Sequence, residues 1–228
     1  MPRVRPFVLT AATLALLAAP AAAQRITSPY RYIEPRQYVS VFAGQMRTQT
    51  GVVGVGPKAG NIFGAQFGYR ASGPFVIEVT LGYMPLQRTV RDTTRQPGDN
   101  ANFHPLGTAN QSLLVATAAA HFDITGPRTW HGFQPYAILG AGGVFGTTSQ
   151  NGPAIPQDVR FSFGTSFAAQ AGAGIEWYAT RRLGLRVDGR GTLWKLHTPS
   201  AFLLRATNLP QSEWTQNLSL VGGLALHF

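Results

Sequence analysis

Three residues near the end of the chain carry side chains that could together do acyl-transfer chemistry: His197, Ser200 and Glu213. Serine would be the nucleophile, histidine its base and glutamate the group that orients the base. The local order is His-Thr-Pro-Ser, and Pro199 favours a loop over a strand at this point. The expected role of the segment is therefore a polar loop rather than a catalytic centre. A second set of residues is Glu78, Glu176 and Asp188 with Arg186 and Arg190. Paired carboxylates can form an acid/base couple. With arginines at the same spacing they read instead as an ion-pair network. The stretch GVVGVGPKAG, Gly51 to Gly60, superficially resembles a phosphate loop, but it lacks the GK[ST] ending and a following helix. The five histidines are dispersed and cysteine is absent, so no metal site, cofactor or disulfide is expected.

The elements that must position these residues read as strands. The segment EWTQNLSLVGGLALHF, Glu213 to Phe228, alternates between a large apolar set and a small or polar set. The first set includes Trp214, Leu218, Leu220, Leu224, Leu226 and Phe228; the second includes Thr215, Asn217, Ser219, Val221, Ala225 and His227. A strand has period 2, so the segment has one apolar and one polar face. Phe75, Ile77, Val79, Leu81 and Tyr83 alternate in the same way with Val76, Glu78, Thr80 and Gly82. About eight such segments are expected. They run from Gln37 to Met46, Asn61 to Arg70, Phe75 to Met84, Gln111 to Phe122, Phe133 to Phe145, Ser162 to Tyr178, Leu183 to Lys195, and on to the end. The fourth and fifth are rich in Ala and Gly, and their facing is not assignable.

Connections alternate between tight, as at Ala71–Pro74 and Ala179–Arg182, and long, as at Pro85–Asn110 and Leu196–Ser212. Aromatics near strand ends, among them Phe63, Tyr69, Phe75, Tyr83, Phe122, Tyr136, Phe145, Trp177, Trp214 and Phe228, suggest two interfacial girdles. In LGLRVDGRGTLWK, Leu183, Leu185 and Val187 face outward, so Arg186, Asp188 and Arg190 face inward. The tight turn near Arg181 puts Glu176 opposite Arg186, Gly174 opposite Asp188 and Gly172 opposite Arg190. Glu78 points inward at similar depth, with Gln66 and Arg70 as possible neighbours.

Only 12% of residues are charged, about half the share in a soluble domain, and 26 are glycine. Residues 1–23 read as a signal peptide: Arg3 and Arg5 precede an apolar run from Phe7 to Ala19 and a small-residue site at Ala21–Ala23. Residues 24–36 are expected to be a periplasmic N-terminal segment and residues 37–228 a barrel. The net charge is +10, or +8 without Arg3 and Arg5. The arginines are scattered, with no basic helix, so nucleic acid is not an expected partner.

The last strand, with its terminal aromatic, resembles those of bacterial outer-membrane β-barrel proteins. GAGIEWYATRRLGLRVDGRG, Gly172 to Gly191, resembles the penultimate hairpin of the OmpA-like and OmpX-like eight-stranded barrels. The resemblance implies an all-β, closed, antiparallel, up-and-down eight-stranded transmembrane barrel in the outer membrane, with both termini periplasmic. It implies recognition of the last strand and Phe228 by the barrel-assembly machinery. Nothing follows Phe228, so the peptidoglycan-binding domain of full-length OmpA is not expected. Some eight-stranded barrels are lipid A deacylases with a Ser–His–Glu constellation, but where their His-x-Ser pattern would place Ser this chain has Pro199.

The function expected from these readings is structural or surface-interacting, non-enzymatic and monomeric. The lumen should be packed by Glu78, Glu176, Arg186, Asp188 and Arg190 rather than open. Arg88, Arg91 and Arg95 should face lipopolysaccharide at the outer rim. The alternatives are an adhesin or ligand-binding barrel acting through loops near Arg88–Arg95 and Leu203–Arg205, a lipid A hydrolase using Ser200, and a small gated porin.

Overall fold

The computed structural model describes residues 28–95, 103–147, 160–205 and 208–228. The expected signal peptide therefore lies outside the described residues, as does the start of the segment that follows it. Among the described residues ten strands form in chain order: β1 (Tyr30–Tyr32), β2 (Gln37–Arg47), β3 (Gly60–Ser72), β4 (Phe75–Arg95), β5 (Phe103–Asp123), β6 (Arg128–Trp130), β7 (Phe133–Gly146), β8 (Thr165–Tyr178), β9 (Leu183–His197) and β10 (Ser212–His227). A short helix, α1 (Ser200–Leu203), follows β9.

Eight of these strands close a ring in the order β2-β3-β4-β5-β7-β8-β9-β10. Every pairing around it is antiparallel. The seam joins β10 to β2, from Leu218↔Arg47 to His227↔Tyr38. Just past it, the backbones of Gln37 and Phe228 exchange two hydrogen bonds, at 3.1 and 2.9 Å. Closure leaves no edge within the ring itself, so its ladder groups are paired strand to strand without water. The fold is thus the closed, up-and-down, eight-stranded barrel read from the sequence. β1 and β6 lie outside the ring and form a small ribbon at the end that carries the tight turns, here called the turn end. The opposite end is the loop end.

The strand bounds differ from the sequence reading chiefly in β4 and β5. Both are 21 residues long and continue as a paired hairpin well beyond Met84 and Gln111. The sequence reading assigned Pro85–Asn110 to a long connection. In the structure Pro85 pairs with Ser112, and Pro105 sits at an irregular register step opposite Arg91. A proline that owes no ladder bond need not end a strand.

The period-2 alternation is obeyed around the ring, with an apolar set outside. Val39 and Val41, Phe75 to Leu81, Leu183 to Val187, and Leu218 to Leu226 all expose their large side chains. A belt of this kind is costly in water and favourable in hydrocarbon. Its ends carry aromatic pairs: Phe63 with Tyr83 toward the loop end, and Phe75 with Phe122 and Phe133 with Trp177 at the turn end. The step from Phe75 to Tyr83 covers about 27 Å of strand, or about 20 Å of height at the usual barrel tilt. That is most of the apolar band of about 25 Å on outer-membrane barrels. Tyr136 does not belong to a girdle. It is 1% exposed and points into the barrel, a correction to the sequence reading. The Ala/Gly-rich strand β7 had hidden its facing; the structure places Gln134, Tyr136, Ile138 and Val144 inside.

Candidate functional site: the lumen and its two ends

The registers Glu176↔Arg186, Gly174↔Asp188 and Gly172↔Arg190 are those of the structure. Arg186, Asp188 and Arg190 alternate with the exposed Leu185 and Val187 and are buried, as are Glu78 on β4 and Glu176 on β8. Glu78 binds both arginines: Oε2 lies 2.9 Å from Arg186 Nη2 and Oε1 lies 2.8 Å from Arg190 Nη2. Asp188 Oδ2 is 2.6 Å from Arg190 Nη2 and 3.8 Å from Arg186 Nη2. Two carboxylates and two guanidiniums thus neutralise one another inside the barrel.

Two tyrosines complete this cluster, and the sequence reading missed both. Tyr38 donates its hydroxyl to Glu78 Oε2 at 2.5 Å, and Tyr136 donates to Asp188 Oδ1. The Arg186 guanidinium lies 4.7 Å from the Tyr38 ring centre and 5.0 Å from that of Tyr136. Two faces and two carboxylates therefore hold one cation. Glycine makes the room. A Cβ at Gly68 would strike the Tyr38 ring, and one at Gly174 would lie 2.6 Å from the Tyr136 ring. Tyr38 was legible in principle, because Val39 and Val41 face outward on its strand.

Glu176 does not join the cluster, although it stands opposite Arg186 in the ladder. Its Oε1 is 2.6 Å from Nε2 of His227, and its carboxylate occupies the space over Gly184. Arg186 is long enough to cross the lumen to Glu78 instead. Arg70 likewise pairs with Asp123 at 2.6 Å rather than with Glu78. His121 links that pair to the centre: its Nε2 is 3.0 Å from Asp123 Oδ1 and its Nδ1 is 3.6 Å from Glu78 Oε2. Gln66 accepts from Ser40 at 2.8 Å and reaches Asp188 only at 3.5 Å.

Above this polar half, toward the loop end, the interior is apolar, which the sequence reading did not anticipate. Phe42, Met46, Ile62, Met84, Val115, Val144 and Trp194 form a core inside the barrel. Loops fold back onto it. Val53 and Val55 come from the β2–β3 loop, Phe161 and Phe163 from the segment before β8, and Phe202 from α1. The Gly51–Gly60 stretch is therefore a pinned loop rather than a free one. Glu213 Oε1 accepts the Val52 N–H at 2.7 Å, and Gly51 and Gly54 take the left-handed backbone angles of 77° and 71° that the fold-back requires. Between the polar and apolar halves lies a cavity of about 30 Å³, bordered by Gln66, Thr117, Gln170 and Arg190. It has room for one or two water molecules and for nothing larger.

The three residues with acyl-transfer chemistry do not converge. His197 points outward, Ser200 is exposed at the start of α1, and Glu213 is committed to Val52. The basic rim is also corrected in part. Arg88 is fully buried on the inward face of β4, its guanidinium 5.6 Å from the Phe161 ring centre, so it faces no lipid headgroup. Arg91 is half-buried and donates to the Phe103 carbonyl at 2.8 Å. The Arg95 side chain lies outside the described residues. Among the described residues, Arg47, Lys195 and Arg205 are exposed cations of the loop end. Phe228 is 57% exposed beside the seam.

A closed ring of eight antiparallel strands, apolar outside and filled within, defines the class of small outer-membrane barrels. The solved structures agree. The chain is similar to Neisserial surface protein A at 14% identity and a TM-score of 0.52, over 84% of this chain and 97% of that one. It is similar to the outer-membrane protein OprG from Pseudomonas aeruginosa at 13% identity and a TM-score of 0.52, over 85% and 97%. At such identities the likeness concerns the fold, that of an eight-stranded outer-membrane β-barrel. No protein-family model and no curated protein matches the chain in sequence.

Proposed function

We propose that this protein spans the outer membrane as a sealed, monomeric scaffold whose work is done by the surface of its loop end, without catalysis. The loop end faces outward and the turn end the periplasm. The observation that carries the reading is the continuous filling of the lumen. The ion-pair cluster occupies one half, the apolar core and its folded-back loops occupy the other, and the cavity between them is about 30 Å³. Side chains can fill an eight-stranded interior in this way. In planar bilayers the full-length protein should show no stable conductance. Reproducible channels in the nanosiemens range would overturn the sealed lumen and favour the gated porin.

The divergence of His197, Ser200 and Glu213 supports a non-enzymatic role. Lipid A from cells making the protein should keep its acyl chains; loss of one, abolished by Ser200→Ala, would reverse the assignment. Exposed Arg47, Lys195 and Arg205 support lipopolysaccharide phosphate as the loop-end partner. Lipopolysaccharide should raise the unfolding midpoint in detergent at low salt, and added salt should shrink the gain. Equal midpoints with and without it would remove that partner and leave a surface ligand of other chemistry.

A further inference from the structure

We propose that the pocket behind the β1–β6 ribbon at the turn end binds the phosphate headgroup of an anionic phospholipid from the inner leaflet. The inference needs the membrane-spanning orientation proposed above, but not the sealed lumen.

The ribbon is built in register, with Tyr30↔Trp130, Arg31↔Thr129 and Tyr32↔Arg128. Alternation puts Tyr30, Tyr32, Trp130 and Arg128 on one face and Arg31 with Thr129 on the other. The three aromatics of the first face are 48%, 69% and 51% exposed, although nothing in a soluble segment calls for three such rings side by side. Tyrosine and tryptophan beside arginine is the chemistry of the headgroup layer. The ribbon is also fixed in place. Ile33 N–H donates to Pro127 O at 3.0 Å, and His131 N–H to Pro29 O at 3.0 Å.

Between this ribbon and the β8–β9 turn lies a pocket of about 560 Å³ bordered by Arg31, Tyr32, Glu34, Thr129, Tyr178 and Arg181. That volume falls within the range of small-molecule sites. The walls are bonded to one another: Tyr178 N–H donates to Gly132 O at 2.8 Å, and Thr180 Oγ1 accepts from the Arg182 and Leu183 amides, which holds the turn that presents Arg181. Phe133 and Trp177, 6.4 Å apart, face outward immediately beside it, so the pocket sits where the apolar belt meets the headgroups.

Charge selects the occupant. Arg31, Arg36, Arg128, Arg181 and Arg182 stand at this end against Glu34, and none of them is in an ion pair with a described residue. Arg70 and Asp123 cancel each other nearby. Two guanidiniums suit the two free oxygens of a phosphodiester, which each can bind in a bidentate fork. The acyl chains would then lie along Phe133, Trp177 and Leu139 on the outer face.

The experiment titrates phosphatidylglycerol, phosphatidylcholine and glycerol 3-phosphate onto the full-length detergent-solubilised protein, with bound species counted by native mass spectrometry. Phosphatidylglycerol should bind in preference to phosphatidylcholine. The double variant Arg31→Gln, Arg181→Gln should weaken it about tenfold, the sum of two exposed charge contacts. Arg31→Lys, Arg181→Lys should retain much of the binding. Equal affinity for the two lipids, or no loss in the glutamine variant, would overturn the site. Glycerol 3-phosphate binding as tightly as the lipid would make it a site for a soluble periplasmic anion instead. Conductance measurements bear on the sealed lumen alone, so the two readings fail separately.

Discussion

Glu78 and Arg190 meet across the full width of the barrel. Their strands, β4 and β9, stand four places apart in a ring of eight, so they are diametrically opposed. Yet Glu78 Oε1 and Arg190 Nη2 are 2.8 Å apart. Arg186, also on β9, reaches the other oxygen of the same carboxylate at 2.9 Å. The two contacts brace opposite walls against each other, and they leave no axial passage at that depth.

Removing one partner should therefore be expensive. Arg186→Ala leaves the buried Glu78 with a single guanidinium, the Tyr38 hydroxyl and His121 at 3.6 Å. The expected loss is about 3–5 kcal/mol, measured by urea unfolding in lipid vesicles. The double change Glu78→Gln, Arg186→Met keeps Asp188 paired with Arg190 and should recover much of that loss. If Arg186→Ala costs under about 1 kcal/mol, the brace contributes little to stability.

Gly174 and Gly189 should respond in opposite ways to the same methyl group. A Cβ at Gly174 would lie 2.5 Å from Asp188 Oδ1 and 2.6 Å from the Tyr136 ring, whereas at Gly189 the nearest atom is 3.9 Å away. Gly174→Ala should destabilise by about 1–3 kcal/mol through overpacking. Gly189→Ala should stay within about 0.5 kcal/mol of the parent. Comparable midpoints for the two would show that the tyrosine ring can move aside.

Glu213 tests the pinned loop. Its bond to Val52 N–H holds the segment that delivers Val53 and Val55 to the apolar core. In Glu213→Ala, amide exchange at Val52 and its neighbours should quicken about tenfold, from loss of one charged hydrogen bond of about 1.5 kcal/mol. The amides of β3 and β10 should keep their protection. Unchanged exchange at Val52 would mean that burial of the valines alone secures the loop.

Phe228 tests the seam. Its backbone exchanges two hydrogen bonds with Gln37, and its ring is exposed on the outer face. Deleting it should lower the fraction of heat-modifiable, folded protein in the outer membrane and raise exchange at the Gln37 amide. Full assembly after the deletion would dissociate this residue from both closure and recognition.

Much of the barrel was legible in the sequence because its information is local. Leu183, Leu185 and Val187 fix by parity that Arg186, Asp188 and Arg190 face inward, and the tight turn at Ala179–Arg182 fixes Glu176 opposite Arg186. Where residues on both parities are small, as along β5 and β7, the same argument has nothing to grip. His121 and Tyr136 were therefore not recognised as members of the central cluster. The apolar residues of the loops, Val53, Phe161 and Phe202, follow no period at all, so their burial at the loop end could not be read.

By itself, then, the sequence determined which side chains point inward on the strands that carry one large apolar parity, because strand period and turn length act over a few residues. Only the tertiary structure decided which inward groups touch. Closing the ring brings Glu78 to Arg186 and Arg190 from the far wall, and it leaves Glu176 to His227. A long guanidinium in a narrow lumen can choose among carboxylates at several registers. That choice depends on the diameter, on the glycines that make space and on the tyrosines that fill it, and none of these is a property of one strand.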